Sequence, residues 1–420
     1  MQKSKVLILL TLFITTTITA QYRDLQNWRP NDQRGINVFE DPVLDTVAYE
    51  EFFVRVGGDF SMQFQGLDQT NTAGTLVDLG ADFNLPSANL NLDVQLAEGM
   101  RMHLRTFLSS RHHPEAWIKG GHMQVSSLNF IQPGFLENIM QFTTVTIGLD
   151  EFNYGDAHFR RSDNARTIFN PFVGNYIMDS FSTEAFGEVT VQRNGLLAVI
   201  GLTNGKLNQS VIVNGRDNEP SFYGKLGFDK YLDQDLRVRL TGSWYINNGT
   251  STGTWLYGGD RSGARYHDVI HTDEQGGNFL PRYNARFTKL TALQVNPFVK
   301  YRGLEFFGIL EHANGNAEFT DPQDEEGAFT QLAGELLYRF GPAENFYIGA
   351  RYNSVIGKQR ESADQDLEIS RLNIGGGWFL TRNILTKIEY VTQSYEGDAW
   401  TGRFAGAEFS GLVVEAAISF

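Results

Sequence analysis

The chain contains no cysteine. That excludes a disulfide framework, a thiolate metal site and a lipid-anchor cysteine. Proline is scarce, at 11 of 420 residues, a scarcity that suits strands. Positive charge is in deficit: 35 Lys and Arg against 49 Asp and Glu leave a formal charge of −14. A nucleic-acid partner requires a basic footprint, so none is expected. Past the N-terminus no apolar run reaches the ~18 residues of a transmembrane helix. Mean hydropathy is −0.29. That value would suit a water-soluble chain, but membrane-crossing strands that alternate sides also average to mild hydrophilicity.

What is abundant points the same way. Phe (32), Tyr (16), Trp (6) and Gly (43) are plentiful, as in strands joined by Gly- and Asn-rich turns. At the start, Lys3 and Lys5 precede an apolar run from Val6 to Ile18, closed by Thr19-Ala20 before Gln21. This is the pattern of a secretory signal peptide. The expected organisation is a signal peptide over 1–20, a periplasmic pre-barrel segment over 21–50 and a barrel over 51–420.

Alternation dominates the remainder. Phe52, Val54, Val56, Phe60, Met62 and Phe64 share one parity, with Arg55, Asp59, Ser61, Gln63 and Gln65 on the other. Leu90, Leu92 and Val94 oppose Asn89, Asn91 and Asp93, and Met100, Met102 and Leu104 oppose Arg101, His103 and Arg105. The pattern continues through Leu236–Asn247, Glu335–Phe340, Phe346–Asn353 and Ile384–Gln393 to Leu412, Val414, Ala416 and Ile418 at the end. One apolar and one polar face is the signature of a strand with two different neighbours.

Soluble sandwiches also alternate. Three further features favour a membrane barrel. The stretches run to roughly 10–14 residues, enough for a tilted crossing. Tight turns such as Glu98-Gly99, Asn194-Gly195 and Arg302-Gly303 take every other connection, between long polar loops near 66–87, 151–183, 205–219, 248–290 and 312–327. Short periplasmic turns opposite long extracellular loops are expected of outer-membrane barrels. Aromatic residues, among them Tyr231, Tyr301, Tyr338, Phe340, Trp378 and Tyr390, collect near strand ends as an interfacial girdle. The fold expected is therefore all-β: an antiparallel up-and-down transmembrane barrel of about 16 strands, with about 14 to 18 left open. The lipid bilayer of the outer membrane is its solvent, reached by export through the periplasm.

The chain ends in Phe420 after alternating apolar residues. That ending resembles the C-terminal signal read by the barrel-assembly machinery, which the resemblance implies as a partner. With the loop order, it makes the chain similar to the 16-stranded porins of Gram-negative outer membranes. Two stretches, Asn153-Tyr154-Gly155-Asp156-Ala157-His158-Phe159-Arg160-Arg161-Ser162-Asp163 and Asn27-Trp28-Arg29-Pro30-Asn31-Asp32-Gln33-Arg34-Gly35-Ile36-Asn37-Val38-Phe39-Glu40, resemble the phosphate-selective porin family and its Bacteroidetes relatives. The length of the fifth loop points the same way. The resemblance implies a homotrimer and passive diffusion of ions and small hydrophilic solutes, anionic ones included. A Lys- and Arg-rich selectivity track like that of phosphate-selective members is not traceable here.

For such a channel the relevant chemistry is the charge on the inner wall. Parity points Arg55, Arg101, Arg105, Arg237, Arg239, Arg339, Arg351 and Lys387 inward, together with Asp59, Asp93, Glu335, Glu389 and Glu415. On the lipid face each basic one would cost ~2–4 kcal/mol at mid-membrane, so a shared inward parity marks a wet interior. These side chains could orient solutes, or pair with one another to hold strands in register. The neighbours Arg101/Arg105 and Arg237/Arg239 require nearby counter-ions. In the third long loop Arg160, Arg161 and Arg166 lie beside Asp156 and Asp163. If the loop enters the lumen, the arginines would form an anion-accepting constriction and the carboxylates would anchor the loop; the alternative is a solvated, self-paired loop. Gly375-Gly376-Gly377 within a strand suggests close approach of a tucked loop or a neighbouring subunit.

No G-x-S-x-G, Walker, Rossmann or H-E-x-x-H motif occurs, and neither a cofactor nor a metal is expected. His112-His113 and the acidic stretch Asp321–Gly327 are poor metal sites on spacing. Two other readings remain: a barrel whose lumen is plugged, with residues 21–50 as the candidate plug, and an outer-membrane barrel enzyme.

Overall fold

The computed structural model describes residues 23–420 except 45–46, 110–115, 208–210, 212–217, 250–255, 259–261 and 318–324. The expected signal peptide, His112-His113 and most of the acidic stretch at 321–327 lie outside the described residues.

Sixteen antiparallel strands close on themselves, β1 pairing with both β2 and β16. They are β1 (Phe53–Thr70), β2 (Asp82–Ala97), β3 (Met100–Ser109), β4 (Trp117–Val125), β5 (Thr143–Glu151), β6 (Thr183–Arg193), β7 (Leu196–Thr203) and β8 (Ser221–Tyr231). The second half is β9 (Leu236–Asn247), β10 (Phe287–Tyr301), β11 (Leu304–Ala317), β12 (Glu326–Phe340), β13 (Phe346–Lys358), β14 (Leu367–Thr381), β15 (Ile384–Glu396) and β16 (Glu408–Ser419). Closure removes the open sheet edges whose backbone groups lipid could not satisfy.

Burial follows parity. On β2, Leu90 is 47% exposed on the outer face while Asn89 and Asn91, at 4% and 5%, lie inside. The outward set, including Ile200, Leu226, Leu332, Ile348 and Ile388, forms an apolar band that only hydrocarbon can satisfy. A row of stacked rings, Tyr338, Phe340, Phe346 and Trp378 at 5.6–5.9 Å spacing, lies where β12–β14 approach their turns. It forms part of an interfacial girdle.

The alternation of short and long connections has one break. Residues 126–142, between β4 and β5, fall on the short-turn end but hold the one-turn helix Glu137–Met140. They expose Phe130, Ile131, Phe135, Leu136 and Ile139. The preceding strand, β4, stops at Val125.

The inside is not an open tube. The loops at 152–182 (L3) and 248–286 (L5) both fold inward, and almost every described residue of L3 is buried. With the inner face of the wall they build an apolar cluster that includes Tyr154, Val173, Ile177, Tyr223, Tyr245, Tyr266, Val269 and Ile270. The glycine run has a local cause: a Cβ on Gly377 would meet the Tyr347 ring at 2.5 Å. Tyr347 in turn donates to the Pro171 carbonyl of L3 at 2.9 Å. The close approach is that of a wall aromatic propping the tucked loop.

Candidate functional site: the lumen

L3 has almost no regular structure beyond the short 3-10 turn Ala157–Arg160. Its backbone donors and acceptors nonetheless lie inside the barrel, where an unpaired group is costly. Inward wall side chains pair many of them. Lys387 donates to the carbonyls of Thr167, Asn170 and Phe172 at 3.0–3.1 Å. Arg351 donates to Gly174 O at 2.8 Å, and Arg371 to Asn175 O at 2.6 Å. In the other direction, Glu389 accepts from Val173 N–H (2.8 Å), Asn353 from Ile177 N–H (2.7 Å) and Gln331 from Met178 N–H (2.9 Å). The inward charges of β12–β15 thus grip the main chain of a loop.

The loop's own charges face the wall. Arg160 spans Glu305 (2.7 Å), Glu335 and the Asn37 side chain. Arg161 is held within the loop by Asp179 at 2.6 Å. Asp156 accepts from Arg239, Lys225 and Thr241 at 2.8–2.9 Å, and Asp163 from Lys119 (2.7 Å) and Arg105 (2.5 Å). Arg166 reaches Glu151 at 3.2 Å. Sequence reasoning grouped these five by position, whereas the structure gives Asp156, Arg160, Asp163 and Arg166 separate wall partners and holds Arg161 within the loop.

Wall charges are likewise paired: Arg55 with Asp93 (2.8 Å), Arg339 with Glu305 (2.9 Å), Arg351 with Glu335 (2.8 Å) and Lys387 with Glu415 (2.6 Å). Asp59 accepts from Asn31 (3.0 Å) and Asn91 (3.2 Å). The counter-ions that the arginine pairs need are present. Arg101 meets Asp41 (3.2 Å) while Arg105 meets Asp163, and Arg237 meets Asp229 (2.6 Å) while Arg239 meets Glu40 (2.8 Å).

Several of these partners belong to the pre-barrel segment, which runs around the inside of the short-turn mouth. Gln26 touches the β2–β3 turn at Gly99 (3.3 Å) and Gln33 N–H donates to Arg382 O at the β14–β15 turn (2.8 Å). Asn37 then reaches Glu305 on β11 (2.7 Å), Glu40 reaches Arg239 on β9, and Asp41 reaches Arg101 on β3. Burial works to raise the Glu40 carboxyl, but Arg239 and Lys225 outweigh it and bring it down to about 2. Burial and then Lys225 push His158 of L3 down to about 3, so its ring is neutral at pH 7.

Between this segment, L3 and β2–β6 lies a cavity of about 170 Å³. Trp28, Arg29, His103, Thr144, Thr146 and His158 are among its lining.

Sequence reasoning missed Lys119, Lys225, Glu305, Glu311 and Arg371, all buried on the inner face. The parity rule, extended to β4, β8, β11 and β14, would have found them. Glu40 and Arg265 carry no periodic signal. Arg265 of L5 reaches the Asn164 carbonyl at 2.5 Å and Glu415 at 3.3 Å.

No family model and no curated protein matches the chain by sequence. The resemblance to phosphate-selective porins therefore rests on the quoted residues alone. Solved structures do match in shape. The anion-selective porin from Comamonas acidovorans aligns at TM-score 0.53 and 10% identity, over 88% of this chain and 100% of that one. The barrel has the outer-membrane porin fold. Salmonella typhi OmpF, solved in complex with daunomycin, aligns at TM-score 0.51 and 10% identity, over 87% of this chain and 97% of that one. OmpT, an outer membrane protein of Vibrio cholerae, aligns at TM-score 0.50 and 10% identity, over 90% and 100%. At these identities the likeness carries the fold alone, and no residue's role.

Proposed function

We propose that this protein is an outer-membrane channel of the porin fold that passes small hydrophilic solutes through a narrowed lumen, without a cofactor and without turnover. The observation that carries this reading is the polar and charged inner face of a closed 16-stranded barrel. Barrels of that width enclose an aqueous lumen unless something fills it. Here L3, L5 and the pre-barrel segment fill much of it, so passage is restricted by size.

Arg160 and Arg161 act as fasteners of L3 in this proposal, because each is spent on carboxylates. The anion selectivity named for the Comamonas protein is therefore not carried over, and the ion preference proposed is weak. Export and assembly through the C-terminal Phe420 signal, and trimerisation, are proposed from the resemblance.

A second reading has its own observation. The apolar cluster of L3 and L5 packs like a protein interior, which favours a lumen plugged in the resting state. Swelling of proteoliposomes in solutes of graded size separates the two. A channel gives swelling with the smallest solutes and a steep loss with size; swelling indistinguishable from empty liposomes supports the plugged barrel.

A further inference from the structure

We propose that residues 126–142, between β4 and β5, seat in the periplasmic leaflet of the outer membrane, with their apolar side chains among phospholipid acyl chains. The proposal rests on the outer-membrane part of the function proposed above, and holds whether the lumen conducts or is plugged.

The side of the wall that the segment takes is fixed by β5. Thr144 and Thr146 line the lumen cavity, so Thr143, Val145 and Ile147 point outward. Ile147 is accordingly 55% exposed, yet Thr143 is only 6% exposed. Its hydroxyl donates to the Ile139 carbonyl at 2.9 Å. The turn around Glu137–Met140 therefore covers the outer face of the wall instead of closing the mouth. At its other end the segment is tied to the β2–β3 turn, where Ser126 N–H donates to Gly99 O (2.7 Å) and Asn129 to Glu98 (3.2 Å). It runs along the rim of the short-turn end.

What it exposes there is hydrocarbon. Phe130, Ile131, Phe135, Leu136 and Ile139 are 41–60% exposed, and the outward Leu90, Ile147 and Leu332 of the strands are 47–55% exposed. Large apolar side chains gathered in this way mark an interaction surface. Continuity with the apolar band at Val145 and Ile147 names lipid as the occupant. The segment contains no Lys or Arg and a single carboxylate, Glu137. Burial of apolar surface drives such seating, without attraction to anionic headgroups. The wall is also low at this place. β4 and β5 have 9 residues each, against 13–15 in β10 to β15. At roughly 3.3 Å per residue and a tilt of about 40°, a strand of 9 residues climbs about 23 Å, short of the ~25 Å apolar band. The segment adds apolar surface at the edge that these strands leave short.

The absence of cysteine allows single nitroxide labels to test this. The full chain is reconstituted in phosphatidylcholine vesicles with the label on Ile131→Cys. Ile147→Cys in the apolar band and Gln234→Cys in the exposed β8–β9 turn serve as references. Collisions with oxygen, which concentrates in the bilayer, are compared with collisions with a water-soluble nickel chelate. The expected oxygen-to-nickel ratio at Ile131→Cys is close to that at Ile147→Cys and well above that at Gln234→Cys. If Ile131→Cys does not assemble, Phe135→Cys carries the same test. A ratio equal to that at Gln234→Cys means a water-exposed segment and overturns the proposal. A label shielded from both reagents, with spin–spin broadening that vanishes on dilution with unlabelled chain, assigns the face to a second copy and overturns it too. An Ile147→Cys label that favours nickel overturns the membrane reading itself.

Discussion

At the residue scale, the decisive chemistry is the pairing of lumen charges across elements distant in sequence. Arg160 joins L3 to β11 and β12 through Glu305 and Glu335, and both carboxylates keep a second arginine. Breaking a buried pair by removing one partner costs about 3–5 kcal/mol. Arg160→Ala is expected to place that cost on L3 rather than on the barrel. Proteinase K should then cleave within 152–182 while the barrel still resists SDS at room temperature; unchanged protection of the loop would contradict the fastening role.

Glu40 adds a pH dependence. Its carboxyl lies at about 2 in the folded protein, below the ordinary 4.5. Its contribution is therefore complete above pH ~4.5 and is lost as pH falls toward 2. Ion conductance should rise over that window as the pre-barrel segment detaches from Arg239. Glu40→Gln should show the raised level already at pH 7.

At the element scale, the strands were the legible part. Alternation placed β3, β7, β9 and β13 within a residue of their observed starts, because lipid outside and polar groups inside impose period two there. It located β2 less well, at 87 against Asp82, since Phe83-Asn84-Leu85-Pro86 alternates poorly. Periodicity could not reveal what L3, L5 and the pre-barrel segment do, because irregular chain carries no period. Their inward course is written in long-range pairs such as Glu40 with Arg239 and Arg265 with Glu415. Parity did place Arg351, Lys387 and Glu389 inside, but which loop groups they hold could be learned only from the folded chain. At this scale, deletion of residues 24–43 removes one partner each of Arg101, Arg239 and Glu305 together. The deleted chain should still assemble as a heat-modifiable barrel, with a melting temperature below that of the full chain. Loss of assembly itself would mean that the segment is part of the folding core.

At the scale of the whole molecule, a barrel wide enough for water has been narrowed from both ends. Two extracellular loops descend from one side and a pre-barrel segment rings the other. The arrangement reconciles a porin fold with a lumen whose upper half packs like a protein interior. The most direct measurement is single-channel conductance in a planar bilayer, comparing the full chain with the chain lacking residues 24–43. The account predicts small stepwise openings for the full chain, near-equal passage of cations and anions, and larger steps once the segment is gone. Barrels that insert stably yet conduct in neither form would contradict it.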